Sequence, residues 1–339
     1  MDARNQEPNS VDLVIVGAGP IGLECAIRAK RAGLSYVVLD KGAITAAIAN
    51  YPTYMTFFTT SERLEVGGHP LITSTDKPTR KEALDYYRKV VANEELNVKT
   101  FNRVVAVTRQ AGAERRFKVE VQAVGASGLS GIVNASAVVI ATGYFDNPNP
   151  LGVPGEGLAN VSHYYTEGHE YYGRPVTIVG GGSSAADAAL DLYRNGAKVT
   201  MVHRGDEFKP SLKYWIRPNL LNRITEGSIT AYLSSQVISV EPDHVNLTTP
   251  EGAKRIRSDQ LFALTGYFAP PELLVAAGVQ VDPVTCVAEL DPVTRESNVP
   301  GLFVIGSAGS GRRTSDVFIE NGLVHAEAAM NKVEKQLAV

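Results

Sequence analysis

Two short stretches of this sequence combine residue types and spacings suited to holding phosphate. In VDLVIVGAGPIGLECAIRAK, Val11 to Lys30, the glycines Gly17, Gly19 and Gly22 form G-x-G-x-x-G. In VTIVGGGSSAADAAL, Val176 to Leu190, Gly180 and Gly182 are followed by Ala185 in the third place. The first glycine of such a pattern permits a tight turn, the second lets backbone approach a pyrophosphate, and the third lets a helix pack close to a strand. The helix N-terminus adds partial positive charge. The two turns differ in the residues at the end of their second strands. Asp40 closes the strand after the first turn, placed to accept hydrogen bonds from a ribose hydroxyl pair, whereas His203 and Arg204 close the strand after the second. A carboxylate repels a 2′-phosphate and an arginine pairs with it as a bidentate fork, so the second site is expected to prefer NADPH to NADH, with Lys209 as a further positive charge.

The elements that must position these residues alternate as in parallel α/β folds. LVIVGAG reads as a buried strand, LECAIRAKRAG as a helix closed by Gly33, and LSYVVLD as a second strand; RPVTIVGGG, SAADAALDLYRNG and AKVTMVHR repeat that order. Between the copies lie an amphipathic helix around RKEALDYYRKVVANE and the strand-like RVVAVTRQ, RFKVEVQAV and AVVIATG, with Gly125 to Gly131 as a hairpin tip. The Pro-rich FDNPNPLGVPGEG and the later LTGYFAPPELL mark chain crossings, after which AGVQVD and NVPGLFVIGSAG resume strand patterning. The expected fold class is α/β with two Rossmann-like domains, the second inserted into the first. A flexible arm takes residues 1–10, the first domain 11–147 and 267–339, and the second 148–266.

Composition narrows the functions available. A chain of 339 residues has room for two domains with separate cores, and a net charge of −3 with both signs interspersed argues against nucleic acid. No apolar run approaches the roughly 20 residues of a membrane span, and MDARNQEPNS lacks signal-peptide character, so the expected location is the cytoplasm, away from membranes. Cys25 and Cys286 lie far apart with no C-x-x-C, which suggests neither a disulfide framework nor a metal site. Cys25 is expected to be buried and inert on its helix, and Cys286 the same in a strand-like VTCVAEL.

VIVGAGPIGL, VVIATGYFDNP, VTIVGGGSSAADAALDL with VHRGDEF, and VPGLFVIGSAG together resemble the two-dinucleotide flavoprotein superfamily in a thioredoxin-reductase-like arrangement. That resemblance implies FAD on the first turn, NADPH on the inserted domain and hydride passing between them. Within the group, NYPTYMTFFTTSERLEVGG, HYYTEGHEYYGRPV, KPSLKYWIRP and FIENG are similar to the YpdA-type FAD-containing, NADPH-dependent bacillithiol disulfide reductases. The resemblance covers Val11 to Ala329. It implies FAD contacts at Gly17, Gly19, Pro20, Gly22, Asp40, Lys41, Gly143, Gly306 and Ser307, and NADPH contacts at Gly180, Gly182, Ser183, Ser184, Ala185, His203, Arg204 and Lys209. Three departures stand out. The C-x-x-C of thioredoxin reductases is replaced by SSAADAAL, which excludes a dithiol of that kind. The cysteine that YpdA-type proteins often carry inside the first fingerprint is Ile21. The superfamily's late Gly-Asp is Gly306-Ser307, so a serine hydroxyl or the Gly309 to Arg313 backbone must serve the ribityl chain.

No nucleophile–base pair stands out, so the flavin carries the chemistry, and the acceptor pocket is expected among Tyr51, Tyr54, Phe57, Phe58 and Tyr144, the other reading being plain packing. His163 reads as a surface histidine in a linker, and His69 has no partner visible in sequence. The first expectation is an FAD-dependent NADPH oxidoreductase that reduces a low-molecular-weight disulfide such as bacillithiol disulfide without C-x-x-C, in a homo-oligomer. The alternatives left open are a reductase passing electrons to a small protein, ferredoxin or flavodoxin, then a flavin monooxygenase, then a non-enzymatic nucleotide-binding redox sensor.

Overall fold

The computed structural model describes residues 10–337 except 111, 113–115, 209–211 and 315. The arm expected over 1–10 therefore lies outside the described residues, apart from Ser10, which begins the first strand.

The chain starts with β1 (Ser10–Val16), α1 (Pro20–Arg31), β2 (Tyr36–Leu39) and α2 (Ala46–Ala49). Leu13 to Val16 and Tyr36 to Leu39 are buried without alternation, as strands covered on both faces must be. α1 has Pro20 in its first turn, where the missing N–H costs nothing, and Gly33 follows its end at φ +72°. α3 (Arg80–Asn93) is started by a capping box, Thr79 and Glu82 exchanging side-chain and backbone hydrogen bonds. Then come β3 (Val98–Lys99), β4 (Asn102–Arg109), β5 (Phe117–Ala123) and β6 (Gly131–Ile140).

An inserted stretch comes next, with β7 (Val161–Ser162), β8 (Pro175–Val179), α4 (Ser183–Arg194), β9 (Lys198–Val202), α5 (Arg217–Thr225), β10 (Thr230–Tyr232), β11 (Gln236–Val240), β12 (His244–Thr249), β13 (Gly252–Arg257) and β14 (Gln260–Ala263). The chain closes with α6 (Glu272–Ala276), β15 (Leu302–Val304) and α7 (Ile319–Leu337). AGVQVD, expected as a strand, forms only an isolated bridge, Val281 to Ala288. Two turns sit too close together there: Asp282 and Asp291 each cap a reversal through their side chains, which leaves no length for a ladder.

The chain divides into two compact units: Met1–Ala49, Thr56–Asn147 and Phe268–Val339 in one, Asn50–Met55 and Pro148–Tyr267 in the other. The first holds a sheet ordered β3-β2-β1-β6-β5-β4, with β15 also pairing with β6. Its β1, β2, β3, β6 and β15 run parallel, while β4 and β5 form an antiparallel extension. The second holds a parallel sheet ordered β10-β9-β8-β14-β7 and a separate antiparallel sheet β11-β12-β13. In both, the strand that leads into a glycine turn lies between the next strand of its own βαβ unit and a late strand, β6 for β1 and β14 for β8. That arrangement leaves a crevice at the carboxyl ends of the strands, where open α/β sheets bind ligands.

Candidate functional site

The first turn is set by contacts that a side chain would break. Gly17, at φ +116°, has no room for Cβ, which would sit 2.4 Å from the Ala141 carbonyl oxygen at the exit of β6. A Cβ on Gly22 would fall 2.0 Å from the Gly17 carbonyl oxygen, so α1 lies directly on the turn. Gly19 is different: nothing lies within 4 Å of its missing Cβ, and no side chain caps the helix it begins. Open space in front of an uncapped helix N-terminus fits a pyrophosphate, whose oxygens satisfy the first N–H groups.

Around this turn the other strand ends converge. Gly17 donates its N–H to the Leu39 carbonyl at 2.8 Å, which ties the end of β1 to the end of β2. The next residue, Asp40, is part-buried; its Oδ2 accepts the Ala18 N–H at 2.6 Å and its Oδ1 the Gly42 N–H at 2.7 Å. Burial raises its pKa, and these two backbone bonds work against that shift. Each oxygen keeps a lone pair for a ribose hydroxyl. Gly143 (φ +69°) comes after β6, Gly306 (φ +60°) comes after β15, and Ser307 Oγ stands 4.0 Å from the Cβ position of Gly143. Val304 pairs in register with Ile140, so these residues leave the sheet side by side. Lys41 is turned to Asp146, at 3.0 Å on the surface, and not to this crevice.

The second turn repeats the backbone. Gly180 donates to the Val202 carbonyl at 3.0 Å, and its Cβ would sit 2.5 Å from the Leu264 carbonyl oxygen just past β14. Gly182 faces open space and begins α4 with no side-chain cap. Ala185, in the third place, is fully buried; its Cβ lies 3.0 Å from the Cβ position of Gly180, so α4 stands slightly further from its turn. The residue after Val202 is His203, at the place Asp40 holds in the first unit. Its ring lies flat against Gly181, where a Cβ would be 2.4 Å from Cε1, and stacks on Phe208 with centroids 5.8 Å apart at 10°. Arg204 is exposed and makes no hydrogen bond or ion pair with the described residues. Ser183 Oγ accepts the Lys213 N–H at 3.4 Å, Ser184 is exposed, and Lys209 lies outside the described residues.

The aromatic loop is divided. Tyr51 and Tyr54 belong to Asn50–Met55, which groups with the second unit: the Thr53 N–H donates to the Thr166 carbonyl at 3.0 Å, and Tyr54 meets Tyr165 edge to face at 6.4 Å. Tyr165 in turn donates its hydroxyl to Asp191 of α4. Phe57 is buried in the first unit, whereas Phe58 is half exposed there and Tyr144 part-buried. The tie between 50–55 and α4 had no sequence signal, because the partners lie more than a hundred residues apart.

Cys25 does not have the surroundings of a reactive thiol. Cys25 is fully buried, and burial, reinforced by the Glu24 carboxylate, pushes its thiol well above the ordinary range. Cys286 departs from expectation, being half-buried in a turn at φ +58° instead of inside a strand. His163, expected at the surface, is mostly covered: its Nε2 lies 3.1 Å from Glu156, whose carboxylate also accepts the Leu151 and Gly152 N–H groups. His69 has a partner, Glu94, at 2.7 Å. No described helix is long and apolar enough to cross a membrane.

Comparisons with known proteins fit this geometry. The family model described as pyridine nucleotide-disulphide oxidoreductase matches residues 14–306. A bacilliredoxin reductase, Bdr, of Bacillus subtilis is 37% identical over 324 residues, covering 95% of this chain and 97% of that protein. The solved structure of the bacillithiol disulfide reductase Bdr (YpdA) from Bacillus cereus superposes with a TM-score of 0.92 at 38% identity, covering 96% of this chain and 99% of the other. A ferredoxin–NADP reductase of Ignicoccus hospitalis is more distant, 25% identical over 310 residues, covering 87% of this chain and 89% of its own. With two glycine turns on two Rossmann-type sheets and a family match over most of its length, the chain belongs to the pyridine nucleotide-disulphide oxidoreductases.

Proposed function

We propose that this oxidoreductase uses NADPH and FAD to reduce a low-molecular-weight disulfide, with bacillithiol disulfide as its substrate class. The observation that carries the reading is the change of sign at one equivalent position: a carboxylate after the first turn, and an imidazole followed by an exposed guanidinium after the second. Asp40 suits the ribose of FAD, which carries no 2′-phosphate. His203 and Arg204 suit the 2′-phosphate of NADPH. The likeness to the Bdr proteins of Bacillus supports the substrate class, and the ferredoxin–NADP reductase stands further off in sequence.

Bound in the first unit, FAD supplies a group that accepts hydride from the nicotinamide and returns two electrons to the disulfide. The net reaction is NADPH + H⁺ + RSSR → NADP⁺ + 2 RSH. The chain's own part is to bind and orient. Gly17, Gly19 and Gly22 bring backbone against one pyrophosphate, and Gly180 and Gly182 do so against the other; Asp40 fixes a ribose, and Ser307 offers a hydroxyl where the superfamily has a carboxylate. Phe58 and Tyr144, both in the first unit, are the residues we assign to the acceptor's surroundings. No thiol of the chain is required. The enzyme works in the cytoplasm as a homo-oligomer on this reading.

The test is stoichiometry. Purified protein should oxidise one NADPH per bacillithiol disulfide and release two thiols, with much slower oxidation when ferredoxin or oxygen is the acceptor. NADPH oxidation that depends on ferredoxin, and yields no thiol from the disulfide, would reject the reading.

A further inference from the structure

Ile21 comes directly after Pro20 in the first turn of α1, at the edge of the crevice that the strand ends form. Its side chain enters a notch with two glycine walls. A Cβ on Gly322 would lie 2.2 Å from Ile21 Cδ1 and 3.0 Å from its Cγ1; one on Gly306 would lie 2.6 Å from the same Cδ1. The walls come from separate elements, since Gly306 opens the 3-10 turn after β15 and Gly322 lies buried inside the first turns of α7. They also touch one another, the Cβ position of Gly322 being 3.6 Å from Gly306 Cα. Glycine is the poorest helix former after proline, and at this place in α7 its missing side chain leaves the room that Ile21 Cδ1 fills.

We propose that Ile21 is a positioning residue whose side chain, keyed into the Gly306–Gly322 notch, holds the first dinucleotide turn in register with Gly306, Ser307 and the start of α7. The inference rests on the assignment of FAD to the first unit. Three elements contribute to that site: α1 by its uncapped N-terminus, the 3-10 turn by Ser307, and α7 by packing behind both. A rigid joint between them fixes their donors before the cofactor arrives, which lowers the ordering cost of binding. The same packing commits position 21 to structure. A cysteine there ends at its γ atom and leaves the Cδ1 volume of the notch empty.

A double-mutant cycle tests the joint through cofactor affinity. Gly322→Ala, Ile21→Ala and the pair together are stripped of FAD, and recombination is followed by quenching of flavin fluorescence and by the visible band of the bound flavin. Gly322→Ala alone should weaken FAD binding about tenfold or more, because the new methyl drives Ile21 out of the notch. Ile21→Ala should weaken it by about threefold. Combined, they should bind as Ile21→Ala does, with the wild-type flavin band restored, since the methyl then fills the space the isoleucine vacated. If Gly322→Ala does not fold, recovery of folded, flavin-binding protein in the double variant is the same result. Multiplying effects, or a double variant no better than Gly322→Ala, overturn the joint. A wild-type chain that takes up no FAD overturns instead the cofactor assignment, and the positioning role with it.

Discussion

At the exit of the second strand the first unit places Asp40 and the second unit places His203, on backbones that otherwise match. In each, the first glycine donates to the last carbonyl of the second strand and abuts the carbonyl just past a late parallel strand, Ala141 or Leu264. In each, the second glycine faces open space before an uncapped helix. The glycine cradle is therefore a property of the shared βαβ backbone, while the side chains just beyond it differ, and it is to these that we assign the choice of nucleotide. Asp40 is held in place by the Ala18 and Gly42 N–H groups, and His203 by Gly181 and Phe208. On the proposed reading, two short devices on one scaffold tell an adenosine ribose without a 2′-phosphate from one that carries it.

The third glycine position offers the sharpest way to break the parallel. Gly22→Ala must push its methyl into the Gly17 carbonyl at 2.0 Å, so FAD content should fall below about a tenth of wild type and stability by several kcal/mol. Ala185→Gly, at the same place in the second unit, should lower stability by the roughly 1 kcal/mol that a helical glycine costs, seen as a small drop in Tm, and leave NADPH use intact. Equal damage at both sites would show that the two helices do not differ in their approach. Next in size is Arg204→Ala, which should raise KM for NADPH about tenfold or more while changing that for NADH less than twofold. Equal rises for both nucleotides would remove the 2′-phosphate role.

Smaller effects sharpen the contrast. Cys25→Ala and Cys286→Ser should each leave disulfide-dependent NADPH oxidation within about twofold of wild type, since Cys25 is fully buried and the two cysteines form no C-x-x-C. Loss of turnover with a normal flavin spectrum would expose a missed relay. His325 on α7 is held neutral: burial, with the Arg295 cation adding, pushes its pKa from 6.5 down to about 4. The unfolded chain takes up that proton near pH 6.5 and the folded chain only near 4, so folding stability should decline as pH falls across that window. In His325→Gln, urea melts at pH 7 and pH 5 should differ less than they do in wild type.

Much of the fold was legible because its signals are local. A buried β-run ending in glycine, a helix and a second strand fall close together in the sequence in each of the two copies, and the crossing near Pro148 has its own proline signature. The placement of Asp40 and Arg204 at strand ends was readable for the same reason, as each lies at a fixed offset from its turn. The features that escaped depend on contacts between distant segments. Nothing in NYPTYM says that six residues after α2 pack with Tyr165 and Thr166, and nothing at Ile21 announces Gly306 and Gly322 as its walls. The strand expected at AGVQVD failed on a local conflict: its apolar alternation is genuine, but Asp282, its last residue, already caps a turn and Asp291 caps another nine residues on, so the returning segment is too short for a ladder.

On the proposed function, electrons pass from NADPH through a flavin held by this chain to a disulfide, with no protein thiol on the way. Anaerobic mixing of the purified Cys25→Ala/Cys286→Ser double variant with one equivalent of NADPH, followed by bacillithiol disulfide, tests it by flavin absorbance. Rapid bleaching of the visible flavin band and full return of colour when the disulfide is added are the expected result. Colour that stays bleached with the disulfide in the double variant, but returns in the wild type, would contradict it and place a cysteine in the path.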